Sequence, residues 1–254
     1  MLQPKCLNLP EAAFARAVQG ARILQVTSHG KWIQAGLDRG WLLLNLGMGG
    51  EILLTGRDHL PQKRRLILDL ADGAALAVNF WWFGYAHYAP LDPKGFGKPL
   101  GSGVIEHPMV AALGPDFMAL TLDGFRRRLQ GKRGGIKSFL LDQKQIAGIG
   151  NVYVQDPLWK ARIHPLRPIG TLTGEEIEAL YRALRDTLQQ SIDLGGSHWE
   201  LDLYGRPGRW DSSYFLVAYR EGAPCPACGT AVVKIKTGST SSHICPNCQR
   251  LEPR

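Results

Sequence analysis

With 254 residues, 44% of them apolar, and a formal net charge of +8, the chain is long enough to bury a substantial core, and two domains are expected rather than one. No apolar run approaches the roughly 18 to 20 residues of a membrane span, and the first residues lack the basic-then-apolar layout of a secretory leader, so a cytoplasmic protein is expected. Four of the five cysteines fall in two C-x-x-C pairs and Cys6 stands alone, which is not the framework of a disulfide-stapled extracellular domain.

In chain order, Asn8 is placed to cap a short helix, with Pro10 in its first turn, Gly20 just past its end, and Phe14 and Val18 on its apolar side. The period then falls to that of strands. Short apolar or alternating runs at 23–26, 31–35, 41–46, 52–55, 66–70 and 75–80, separated by glycine-containing punctuation, predict an antiparallel pair of sheets. The Gly- and Pro-rich stretch 90–115 reads as a linker leaving the sheets, and 118–139 as a helical approach.

Between Gly135 and Pro165 the sequence GIKSFLLDQKQIAGIGNVYVQDPLWKARIHP reads as helix, tight turn, helix. Ile136, Phe139, Leu140 and Gln143 keep helical spacing, Gly148 and Gly150 interrupt it, and Asn151 opens a second helix that must accommodate Pro157. A glycine turn feeding a helix N-terminus presents backbone N–H groups and a positive dipole end, which suits phosphate; an ordinary helical hairpin is the other reading. Charge bears on the choice. From Asp123 to Arg167 there are ten Lys or Arg against three Asp or Glu, so this segment holds +7 of the chain's +8. Such focusing favours a nucleic-acid backbone over a merely solvated basic face.

Thr173 and Glu176 form a capping box for a long amphipathic helix through Ile177, Leu180, Leu184, Leu188 and Ile192, which Gly195-Gly196 stops. The turn-rich loop from Glu200 to Trp210 has no function that its residue chemistry discloses. Beyond it, Cys225 and Cys228, then Cys245 and Cys248, flank a sixteen-residue span that reads as a β-hairpin. That arrangement predicts one structural Zn²⁺ held by four thiolates, with His243 a strand residue rather than a fifth ligand; two disulfides are the alternative.

The string IKSFLLDQKQIAGIGNVYVQDPLWKARIHPLRP resembles the helix-two-turns-helix element of the formamidopyrimidine-DNA glycosylase and endonuclease VIII family. The likeness continues through the capped helix to the cysteine ribbon, and more weakly back to about Pro4. It implies an α+β fold: an N-terminal antiparallel β-sandwich domain over 1–104, here truncated, a linker over 105–120, a helical helix-two-turns-helix domain over 121–222, and a β-hairpin zinc ribbon over 223–254. The activity implied is that of a DNA glycosylase and AP lyase of base excision repair, a nucleoid-associated monomer acting on double-stranded DNA with a damaged or abasic site.

By the same resemblance, Lys31 in SHGKWI matches a lysine that reaches the DNA backbone beside the damaged nucleotide. Met48 in NLGMGG matches a methionine pushed into the gap left by an extruded base, and Phe83 in NFWWFGY an aromatic wedge. Read from their neighbours alone, Met48 could equally fill a core gap and Phe83 pack against tryptophans. Lys137, Gly148, Gly150 and Asn151 belong to the helix-turn element, with Lys137, Asn151 and Lys31 expected on phosphates in a groove between the two domains. Trp81 and Trp82 stand where the family has paired arginines. Thr240 stands where its ribbon delivers another, which leaves Lys234 and Lys236 as candidate replacements.

Family chemistry uses an N-terminal proline as nucleophile, beside a glutamate that handles protons. This chain begins MLQP, and the amide nitrogens of Pro4 and Pro10 offer no lone pair. By the resemblance, the first few dozen family residues, with the catalytic helix and an early strand, are absent from it, which would leave a hydrophobic sheet face uncovered. No catalytic residue is then expected here beyond Lys31 as a candidate auxiliary, and abasic duplex should be bound with little borohydride-trappable adduct. Two readings stand: a working glycosylase whose start lies upstream, or a non-catalytic zinc-ribbon DNA-binding relative. A zinc-ribbon RNA or protein adaptor is a more distant third.

Overall fold

The structure is a computed structural model that describes residues 6–80, 83–91 and 107–251. Pro4, Trp81 and Trp82 lie outside the described residues. The chain divides into two compact units, one of Met1–Ala112 with Gly195–Gly208, the other of Leu113–Leu194 with Arg209–Arg254.

In the first unit α1 (Glu11–Val18) is followed by Gly20 at φ +69, the left-handed stop that the sequence predicts. Asn8 does not cap α1. Pro10 takes that position without a side-chain hydrogen bond, while the Asn8 amide donates to the Tyr88 carbonyl at 2.8 Å and accepts from the Tyr88 N–H at 2.9 Å. An asparagine there serves the neighbouring strand because its two ends match a peptide group's donor and acceptor.

Strands β1 (Ile23–His29), β2 (Trp32–Leu37), β3 (Gly40–Asn45) and β7 (Tyr85–Pro90) form an antiparallel sheet in the order β1-β2-β3-β7. Strands β4 (Glu51–Gly56), β5 (Leu66–Asp69) and β6 (Ala74–Asn79) form a second, in the order β4-β6-β5. Leu42 and Leu44 of the first sheet, Leu66 and Val78 of the second, Phe14 of α1 and Phe80 make one shared core. β7 is the strand missing from the expectation, since alternating small and aromatic residues just before a proline-rich stretch also suit a loop. Its placement is set by pairing, with Leu42 opposite Tyr88 and Leu44 opposite Ala86. At the outer edge, β1 leaves Ile23, Leu24 and Val26 exposed.

Under β2, Trp32 stacks on Tyr85 with ring centroids 5.9 Å apart, and His87 Nδ1 lies 2.9 Å from His107 Nε2. His87 also hydrogen-bonds the Cys6 backbone, and of the two facing ring nitrogens one donates and the other accepts. His107 Nδ1 is buried and without a partner. Burial first, and the facing His107 second, lower His87 to about 4; burial lowers His107 as well.

In the second unit, α3 (Leu122–Leu129), α4 (Ile136–Leu141), α5 (Asn151–Lys160) and α6 (Gly174–Asp193) follow α2 (Pro108–Ala111) of the first; α2 lies in the stretch expected to be a linker. Thr121 caps α3, and the Thr173–Glu176 box closes in both directions on α6, at 3.2 and 2.8 Å. Phe117, Phe125, Ile136, Leu140, Ile149, Val154, Leu158, Leu180 and Leu184 bury together as the helical core. Truncating one of these leucines to alanine would cost about 2–5 kcal/mol. The ribbon hairpin pairs β8 (Val233–Thr237) with β9 (Thr240–Ile244). Among the described residues no helix is long and apolar enough to cross a membrane.

Candidate nucleic-acid interface and metal centre

The turn between α4 and α5 is built by Gln143 and one glycine. The Gln143 amide donates to the carbonyls of Leu141 and Ile149 at 3.1 and 2.9 Å and accepts from the Gly148 N–H at 3.0 Å, closing the loop on itself. Gly148 sits at φ +101, where a side chain is strained. Gly150 differs. At φ −114 it is extended backbone open to any residue, and its task is to cap α5 with no side chain over the helix end. The Tyr153 N–H returns to the Gly150 carbonyl at 3.1 Å, and no cap side chain covers the N–H groups ahead of it at the positive end of the helix dipole.

Beside that end, Asn151 Nδ2 approaches the Tyr219 hydroxyl at 3.5 Å, while Asn151 Oδ1 is buried without a partner. Tyr219 is half exposed and left-handed, at φ +56. It is held there because the buried Asp156 carboxylate on α5 accepts the N–H groups of Leu216, Val217 and Ala218 at 3.0, 2.8 and 2.9 Å. Neither Asp156 nor Tyr219 stands out in the sequence. The available signal was an acidic residue inside the apolar span of α5.

Lys137 is not a surface cation. It is 1% exposed, and its ammonium donates to Thr237 Oγ1 and Thr240 Oγ1, each at 3.0 Å, and to the Ser241 carbonyl and Ser242 Oγ, each at 2.7 Å. Three N–H bonds shared among four oxygens leave nothing for a phosphate, so the expectation for this residue is corrected. Burial pulls its ammonium down to about 8. The lysine fastens the ribbon hairpin to α4, and Thr240 is one of the fastened groups. Lys234 and Lys236 project from β8 and are exposed.

Two further amides fix the ribbon. Gln155 of α5 accepts the His243 N–H at 2.8 Å, and Gln249 donates to the Ile163 carbonyl at 2.9 Å while accepting from the Cys245 N–H at 3.1 Å. The Sγ atoms of Cys225, Cys228, Cys245 and Cys248 all lie within 4.8 Å of one another, with pairs at 3.4, 3.5 and 3.9 Å. Four sulfurs at about 2.3 Å from one ion stand roughly 3.8 Å apart, whereas a disulfide needs about 2.05 Å. The donor set fits one structural Zn²⁺, and all four cysteines are free thiols rather than two disulfides.

In the sheet unit, Lys31 occupies the exposed tip of the β1–β2 hairpin, next to Gly30 at φ +56. Crowding by protein atoms lowers its ammonium from the ordinary value, and the Glu200 carboxylate partly offsets this. Met48 is 64% exposed, between Gly47 and Gly49 at φ +64 and +63, and Phe83 is 72% exposed at φ +61. Neither fills the core. Both are large, exposed apolar side chains, and Phe83 in addition holds a left-handed backbone that a non-glycine residue rarely adopts, features found at binding sites.

Comparison with known proteins follows this layout. A family model described as the formamidopyrimidine-DNA glycosylase N-terminal domain matches residues 1–80, one described as the formamidopyrimidine-DNA glycosylase H2TH domain matches 112–202, and one described as a zinc finger found in FPG and IleRS matches 222–251. The formamidopyrimidine-DNA glycosylase of Chloroflexus aurantiacus is 36% identical over 253 residues, covering 97% of this chain and 86% of that protein. That of Thermus thermophilus is 36% identical over 245 residues, covering 92% and 85%. Among solved structures, the MutM (Fpg) protein of Thermus thermophilus superposes with a TM-score of 0.82 at 31% identity, covering 100% of this chain and 91% of that one. The Lactococcus lactis Fpg in complex with DNA containing an abasic site superposes with a TM-score of 0.83 at 26% identity, covering 98% and 89%.

Proposed function

The chain belongs to the formamidopyrimidine-DNA glycosylase family, and on that premise we propose that it binds duplex DNA at damaged nucleotides and excises oxidised bases in base excision repair, nicking the strand through a Schiff base. One observation carries this reading beyond kinship. The uncapped N-terminus of α5, entered through Gly148 and flanked by Asn151 and Tyr219, gives a phosphate a set of N–H donors that no side chain competes for. Met48 and Phe83 support it from the other unit, since exposed apolar side chains can refill the stack that an extruded nucleotide leaves. The zinc holds the ribbon's shape and takes no part in the chemistry. Relatives in complex with abasic-site DNA and with Fapy-dG DNA set the probes.

The test uses labelled duplexes that differ at one position: undamaged, abasic, and containing a formamidopyrimidine. Abasic duplex should bind more tightly than undamaged duplex, and the formamidopyrimidine should be released. Equal binding of all three with no release would reject the proposal in favour of a general duplex binder. No observation favours a non-catalytic relative. We place the protein on the nucleoid, acting as a monomer.

A further inference from the structure

A groove of about 640 Å³ opens in the helical unit beside the end of α3. Its exposed rim includes Arg127 of α3 and Lys132 and Arg133 of the loop that follows, and the buried or half-buried Leu129, Ile169, Leu172 and Ile177 form its floor. The basic loop is tied down at both ends. The Lys132 N–H returns to the Leu129 carbonyl at 3.1 Å and the Ile169 N–H donates to the Gly134 carbonyl at 2.9 Å, so this wall is preformed. The groove is also distinct from the phosphate site described above. Gly134 and Gly135 lead into the first turn of α4, whereas the glycine turn of the phosphate site follows its last, and the six residues between span about 9 Å of helix.

The acids around the groove are already engaged. Arg126 pairs with Asp123 at 3.3 Å and Glu178 at 3.0 Å, and Arg167 pairs with Glu176 at 3.0 Å. Among the described residues, Arg127, Lys132 and Arg133 have neither an ion pair nor a side-chain hydrogen bond. Three unanswered cations around an apolar floor fit a ligand that carries anionic groups around an apolar one. A DNA backbone offers charge but no apolar side group to bury on the floor, whereas an acidic peptide with a leucine or phenylalanine offers both. We propose that this groove docks an acidic segment of a partner protein, its apolar side chain seated on the floor and its carboxylates on Arg127, Lys132 and Arg133. The docking site stands independently of the DNA-repair reading above.

The experiment titrates the zinc-loaded full chain into the fluorescein-labelled peptide Asp-Glu-Asp-Leu-Phe-Asp-Glu and reads anisotropy. The peptide should bind with an affinity that falls as salt rises. A version with Ser-Ser in place of Leu-Phe should bind about tenfold more weakly, which tests the floor without altering a core residue. Joint substitution of Arg127→Gln, Lys132→Gln and Arg133→Gln should cost the peptide about tenfold, the sum of three exposed ion pairs, at an unchanged melting temperature. Equal affinity of the two peptides would reduce the groove to a charged face and overturn the proposal. So would wild-type peptide affinity in the joint variant, or no binding at millimolar peptide. A short undamaged duplex that displaces the peptide, and itself loses about tenfold in the joint variant, would assign the groove to nucleic acid instead.

Discussion

Replacing Lys137 by methionine separates two roles that a lysine in a DNA-binding segment can have. A cation on a phosphate releases counterions, and each such contact contributes about 0.9 to the slope of log affinity against log salt. Between 50 and 200 mM salt, losing one contact would therefore change the mutant-to-wild-type affinity ratio about 3.5-fold. Lys137 is 1% exposed and spends its ammonium on four oxygens of the hairpin, so it has no counterion to release. Affinity of Lys137→Met for abasic duplex should fall by a factor that stays constant with salt, because the hairpin loosens while the charge facing DNA is unchanged. Stability should move little. Stranding the Ser241 carbonyl costs about 1–3 kcal/mol, the Thr237 and Ser242 hydroxyls can pair with each other at 3.0 Å, and relief of a buried ammonium works in the opposite direction. Fluorescence anisotropy at four or five salt concentrations decides the matter. A slope lower by about 0.9 in the mutant would place Lys137 on a phosphate and refute the reasoning.

Metal analysis should give one zinc per chain, with Cys228→Ser lowering it; unchanged content in that variant would reject the thiolate site. Acid should weaken the sheet unit through the paired histidines. His87 titrates near 4 when folded and near 6.5 when unfolded, so the unfolded chain takes up the proton first. Stability is then fully present above pH 6.5 and falls by up to about 3 kcal/mol as pH drops to 4, a loss that His87→Phe should remove from the chemical-denaturation profile. Phe83→Gly should raise stability by up to about 1 kcal/mol, by relieving a left-handed backbone at a side chain that is 72% exposed, yet weaken abasic-duplex binding. Lower stability in that variant would mean that the phenylalanine is structural.

Much of the helical unit was legible because its signals are local. Gly148, the Thr173–Glu176 box and the two C-x-x-C pairs each act within a few residues of themselves, so chain order alone locates them. What escaped was decided across the chain. Asn8 has the chemistry of a cap, but the backbone of Tyr88, 80 residues on, competes for the same amide. Lys137 carries the charge expected of a phosphate ligand, and only a Thr- and Ser-rich hairpin 100 residues away reveals that it is enclosed. Charge can be counted from sequence, whereas burial is a property of the fold.

The ribbon's attachment has a bearing on how such modules can be exchanged. Lys137, Gln155 and Gln249 hold it through hydrogen bonds directed at particular backbone and hydroxyl groups. Directional bonds fix the angle at which a module sits, and two of these three residues lie outside the ribbon, on α4 and α5. A ribbon transplanted from a relative with its four cysteines would still fold around zinc, but it would keep its orientation only if the recipient helices carried matching residues at 137 and 155. Within such a lineage, those two positions and the hairpin are bound to change together.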